Sequence, residues 1–67
     1  MQKARFICKD HIVVNGIVIH IETMNYSHKE WMERNGLQET ETVETETGEK
    51  FVIWANYARN LACAISA

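Results

Sequence analysis

The sequence has no proline and only three glycines. Flexible linkers and low-complexity tails lean on those residues, so neither is expected. No apolar run approaches the ~20 residues a helix needs to cross a bilayer, and no membrane partner is expected. Basic charge is not in excess. Seven Lys and Arg stand against nine Asp and Glu, a formal net charge of −2, which argues against a strongly basic nucleic-acid binder. Catalytic signatures are missing too: the chain has no Gly-rich phosphate loop, no HExxH and no paired CxxC. No enzyme activity is expected, and no catalytic residue, cofactor or metal is assigned. Cysteine is scarce, with Cys8 and Cys63 alone. Met1-Gln2-Lys3-Ala4-Arg5 leads into a strand pattern rather than a secretory leader. Both thiols are therefore expected to be free, cytoplasmic and buried as small hydrophobes.

Sixty-seven residues fit one small domain, 1–67. A chain of this size buries only about 60% of its unfolded surface, so a partner subunit is a natural support and a homodimer is expected.

What is present starts with Lys9 to Glu22. Asn15-Gly16 sits between runs rich in Ile and Val. A type I′ turn needs φ > 0 at both central residues, which Asn and Gly tolerate best. The turn sets Val14 opposite Ile17, Val13 opposite Val18, Ile12 opposite Ile19 and His11 opposite His20. Alternation then puts Ile12, Val14, Ile17, Ile19 and Ile21 on the core face, with Phe6 and Cys8 extending it. Asp10 is a misfit on that face. His11 and His20, side by side on the other face, are close enough to share a metal, but two ligands do not make a site.

Lys3, Arg5 and Lys9 alternate along the first strand and form a small basic strip. Tyr26 to Leu37 reads as a short helix, with Ser27 as N-cap and Glu30 completing a capping box. Tyr26 and Trp31 take the positions of a hydrophobic staple, and Gly36 fits the left-handed C′ site with Leu37 packing on Met32. Gln38 to Thr47 alternates Glu and Thr and reads as a charged edge strand. Glu46-Thr47-Gly48 turns the chain, pairing Glu44 with Lys50 and Val43 with Phe51. Phe51 to Trp54 is then a fourth strand, with Val52 and Trp54 pointing away from the core. Asn56 to Ala67 reads as a closing helix, because Ala58, Leu61, Ala62 and Ile65 recur at helical spacing.

The expected fold is α+β, in the order ββαββα. A four-stranded, mainly antiparallel sheet made of two β-hairpins carries two helices on one face. The expected function is a non-enzymatic protein-binding module, a homodimeric inhibitor or adaptor. A phage or mobile-element inhibitor of a nucleic-acid enzyme fits the size and the acidic strand. Glu39, Glu41, Glu44 and Glu46 would face a basic nucleic-acid-binding protein, with Val52, Trp54 and Trp31 as apolar anchors.

Gly16-Ile17-Val18-Ile19, a short helix and then an acidic hairpin ending in apolar strands resemble the swapped-hairpin fold of AbrB-like and MazE-like transcription factors. The resemblance covers residues 16–54. It implies the alternative function, a small dimeric nucleic-acid-binding or transcription-regulating protein. Lys3, Arg5, Lys9 and Lys29 would then be the phosphate contacts.

Overall fold

The computed structural model describes residues 2–67. Six strands close on themselves in the order β1-β2-β3-β6-β5-β4. The first three are β1 (Gln2–Cys8), β2 (His11–Val14) and β3 (Ile17–Glu22). One helix, α1 (Tyr26–Arg34), leads to β4 (Gln38–Thr45) and β5 (Lys50–Asn56). A single 3₁₀ turn at Tyr57–Arg59 precedes β6 (Leu61–Ser66). Each half is thus a three-stranded antiparallel meander. The halves are sealed by two parallel seams, β1 with β4 and β3 with β6. This corrects the expected α+β sheet with two packed helices: the fold is a mixed β-barrel with one short helix. The description as hairpins is corrected with it, since each strand pairs on both sides within a closed wall.

The largest difference lies at the C-terminus, where a helix was expected. Leu61 and Ile65 are four apart, so they share a face in a helix and in a strand alike. The intervening residues decide the matter. Leu61, Cys63 and Ile65 face outward, while Ala62 and Ala64 face the barrel interior. As a strand, β6 pairs with β5 from Phe51↔Ser66 to Asn56↔Leu61 and with β3 from His20↔Cys63 to Glu22↔Ile65. Tertiary pairing on both sides overrides the helix preference of alanine. Asn60 makes the switch, at φ 58 in the left-handed region that Asn tolerates.

The Asn15-Gly16 turn has the register its residues imply, with Val14↔Ile17, Val13↔Val18, Ile12↔Ile19 and His11↔His20. The Gly48 turn likewise gives Glu44↔Lys50 and Val43↔Phe51. The run 6–14 is not one strand, however. It breaks at Lys9 and Asp10, and β1 folds back on β2. A bulge between Phe6 and Cys8 absorbs Ile7 and sets Cys8 opposite His11.

The interior holds Ala4, Ile12, Val14, Ile19, Val43, Phe51, Ile53 and Ala64, with Phe6, Ile21 and Ala62 against them. Phe6 and Phe51 meet edge to face, centroids 6.1 Å apart. Ala4 and Ala64 leave room for these larger groups inside a narrow barrel. A second apolar layer lies outside the wall. There α1 covers β5 and β6 by setting Met32 and Leu37 on Cys63 and Ile65, with Trp54 and Leu61 at the margin.

The helix is capped by Asn25 rather than Ser27: the Asn25 side chain accepts from the His28 N–H at 2.8 Å. Tyr26 is 81% exposed, so no staple forms. The C-terminal signal holds: Gly36 has φ 74, the Leu37 N–H donates to the Met32 carbonyl, and Leu37 is buried.

Candidate functional site

β1, β3, β4 and β6 run one way and β2 and β5 the other. The barrel therefore has an upper end, where β1 and β3 finish, and a lower end, where β3, β4 and β6 begin. The expected contact residues divide between these ends and partly drop out.

On β4, Glu39 and Glu41 are exposed near the lower end. Glu44 is half-buried and accepts from Lys3 Nζ at 3.2 Å. Glu46 accepts the Phe6 backbone N–H at 3.2 Å and so holds β1. β4 is not an edge strand, because β1 and β5 pair with it on either side. Val52 and Trp54 are half-buried, and α1 with its neighbours covers Trp54. Trp31 is 39% exposed and stacks on His28, centroids 5.5 Å apart. The acidic strand and its apolar anchors thus do not form one free face. The basic residues do not form one strip either. Lys3 is tied to Glu44, Arg5 is exposed on β1, Lys9 lies in the upper turn, and Lys29 sits on α1 beside Glu30 and Glu33.

Two features stand out at opposite ends. At the lower end, Ile17, Val18 and Tyr57 are 48%, 56% and 57% exposed. With Asn60, Leu61 and Ala62 they line an open depression of about 330 Å³. Pleating points Ile17 inward, but it is the first residue of β3 and the wall no longer encloses it.

The other feature is a row of side chains that sequence reasoning did not assemble. Cys8, His11, His20 and Cys63 are successive register partners across β1, β2, β3 and β6. His28 reaches in from α1, its Nε2 3.4 Å from Cys63 Sγ. With His28, this row takes in both cysteines and all three histidines of the chain and runs half-way round the barrel. The His11–His20 pairing was legible. Cys8 was expected in the core and is instead exposed, because the bulge at Ile7 reverses its side. Cys63 is buried as expected, but on the outer face under α1 rather than inside the barrel.

Asp10 completes the upper part of the row. Cys8 Sγ lies 3.1 Å from Asp10 Oδ1 and 3.1 Å from His11 Nδ1, and His11 Nδ1 lies 2.9 Å from the same carboxylate oxygen. His20 Nε2 is 3.7 Å from Asp10 Oδ2, and its Nδ1 is 2.7 Å from Glu22 Oε1. The Cys8 thiol, and after it the His11 ring, hold the Asp10 carboxyl below its ordinary range. Burial pushes the Cys63 thiol up to about 11, and the Glu22 charge adds to it.

This is not a nucleophile–base–orienter arrangement. An orienting carboxylate holds the imidazole nitrogen remote from the nucleophile. Here Cys8 and Asp10 approach the same nitrogen, Nδ1 of His11.

Neither family models, curated proteins nor solved structures give a match to this chain. The resemblance to swapped-hairpin transcription factors thus gains no support. Among the described residues no helix is long and apolar enough to cross a membrane.

Proposed function

We propose that this protein is a non-catalytic binding module that docks on a basic partner protein through the lower end of the barrel. The observation that carries this reading is the exposed group Ile17, Val18 and Tyr57, at the start of β3 and in the 3₁₀ turn before β6, around an open depression. Exposed apolar groups clustered within a polar surround are what interfaces use as anchors. Glu39 and Glu41, exposed in the first half of β4 across the barrel from β3, supply negative charge for steering. Among the described residues, no side-chain bond ties them down, unlike Glu44 and Glu46. Free thiols at Cys8 and Cys63 fit a reducing, cytoplasmic setting.

A photo-reactive residue placed at Val18 or Tyr57 tests this in cells of the source organism. Both positions are expected to capture the same basic protein, whereas Lys9 at the other end captures nothing. Glu39→Lys with Glu41→Lys should then slow association with that purified partner and remove its acceleration at low salt. Capture of a second copy alone would make this end a homodimer contact and reject the basic partner. Equal capture from Lys9 would reject the lower end as the docking surface.

A further inference from the structure

We propose that Cys8, Asp10, His11 and His20 form a four-ligand site for a borderline divalent transition metal, zinc being the natural occupant. The site lies at the upper rim, opposite the proposed docking end, and stands independently of that reading.

The first ground is convergence. Cys8 Sγ, His11 Nδ1 and Asp10 Oδ1 form a triangle with sides of 3.1, 3.1 and 2.9 Å. Around tetrahedral zinc, bonds of about 2.3 Å to sulfur and 2.0–2.1 Å to nitrogen or oxygen give donor separations of roughly 3.4–3.6 Å. The triangle is therefore one face of such a tetrahedron, short by about half an ångström per edge. Small side-chain rotations open it. Cys8, Asp10 and His11 converge by themselves, whereas His20 Nε2, 3.7 Å from the other carboxylate oxygen, Asp10 Oδ2, has to swing in to take the fourth corner.

The second ground is the support around His20. A carboxylate near one ring nitrogen favours the proton there and leaves the other lone pair free to ligate. Glu22 stands in that place, 2.7 Å from His20 Nδ1, while Nε2 faces the cluster. A histidine with no task beyond solvation gains little from this pairing.

The third ground is chemistry. One thiolate, two imidazoles and one carboxylate make a mixed S, N and O set that suits zinc and cobalt. Calcium and magnesium require oxygen ligands and are disfavoured. Thiolate and carboxylate together balance a dication. With all four positions filled by protein, the site is structural rather than hydrolytic. It clips β1, β2 and β3 together at their open end, a useful brace for a chain this short.

The test uses the full chain, reduced and free of metal, with Co²⁺ as the optical probe. One equivalent should produce visible bands of tetrahedral intensity and a thiolate-to-cobalt charge-transfer band in the near ultraviolet. One equivalent of Zn²⁺ should erase both. Cys8→Ser should lose the charge-transfer band, whereas Cys63→Ser should keep it. Glu22→Gln should keep the spectrum but weaken binding by about 10- to 100-fold. The Cys8, His20 and Glu22 side chains all reach solvent, so their variants are expected to keep the native circular dichroism, which is recorded alongside. No charge-transfer band at one equivalent, a band that survives Cys8→Ser, or unchanged affinity in His20→Gln would each overturn the proposal.

Discussion

Cys8 and Cys63 are the same residue type in opposite surroundings. Cys8 is exposed beside Asp10 and His11, while Cys63 is buried against Met32 Sδ at 3.5 Å. A water-soluble thiol reagent at pH 8 should label Cys8 and spare Cys63 until the chain unfolds, as mass spectrometry of short reaction times would show. The two stand three strand spacings apart along the wall, roughly 14 Å, beyond the reach of a disulfide. Mild oxidation should therefore give Cys8-linked pairs of chains and no internal bridge. The raised pKa of Cys63 also carries a sign. Its thiol is favoured in the folded state, so the associated stability is intact below the ordinary value of 9.0. It is lost as pH climbs towards about 11. Urea midpoints between pH 8 and 11 should fall for the native chain, and fall less for Cys63→Ala. The tendency of both cysteines to be read as core follows from composition alone. A one-residue bulge decides the side of Cys8, and no residue in Arg5-Phe6-Ile7-Cys8 announces one.

At the scale of elements, the ends of α1 make separable predictions. Asn25 provides the cap, so Asn25→Ala should cost about 1 kcal/mol and Ser27→Ala little, as read from denaturant midpoints. Gly36 and Gly48 both sit at positive φ, so a Cβ at either is strained by about 1–2 kcal/mol. At Gly36 that Cβ would also meet Asn56 Nδ2 at 3.0 Å, and Asn56 donates from there to the Asn35 carbonyl at 2.9 Å. At Gly48 it meets open space. Gly36→Ala should therefore destabilise more than Gly48→Ala in the same unfolding assay. The turns that were legible each carry a residue whose backbone preference is decisive, Asn15-Gly16, Gly36 and Gly48. The Lys9-Asp10 turn has no such residue, and β1 and β2 read as one strand. The helix cap was misplaced by two residues because Asn25 and Ser27 are both good caps, and only the fold says where the chain turns.

For the whole molecule, closure depends on the last strand. Four extended runs were legible, from alternation or from threonine and β-branched content, with β1 and β2 read together as one of them. Leu61 to Ser66 was not, since Leu and Ile four apart satisfy both periods and alanine favours a helix in isolation. Without that strand no barrel was foreseeable. Nor was the row in which Cys63 follows Cys8, His11 and His20, because the β3–β6 seam is what places it there. Ala64 is fully buried inside the wall, and Ala64→Leu should cost at least the 1–3 kcal/mol typical of overpacking, measured by chemical denaturation. In a free helix the same change would be harmless. The most direct measurement is backbone NMR of the labelled chain. A β6 inserted between two neighbours requires extended-chain shifts from Leu61 to Ser66. It also requires cross-strand Overhauser contacts to both sides, from the His20–Glu22 backbone and from the Phe51–Asn56 backbone. Helical shifts across residues 57–66, with no contact to His20 or Glu22, would contradict the closed barrel and the row of side chains it assembles.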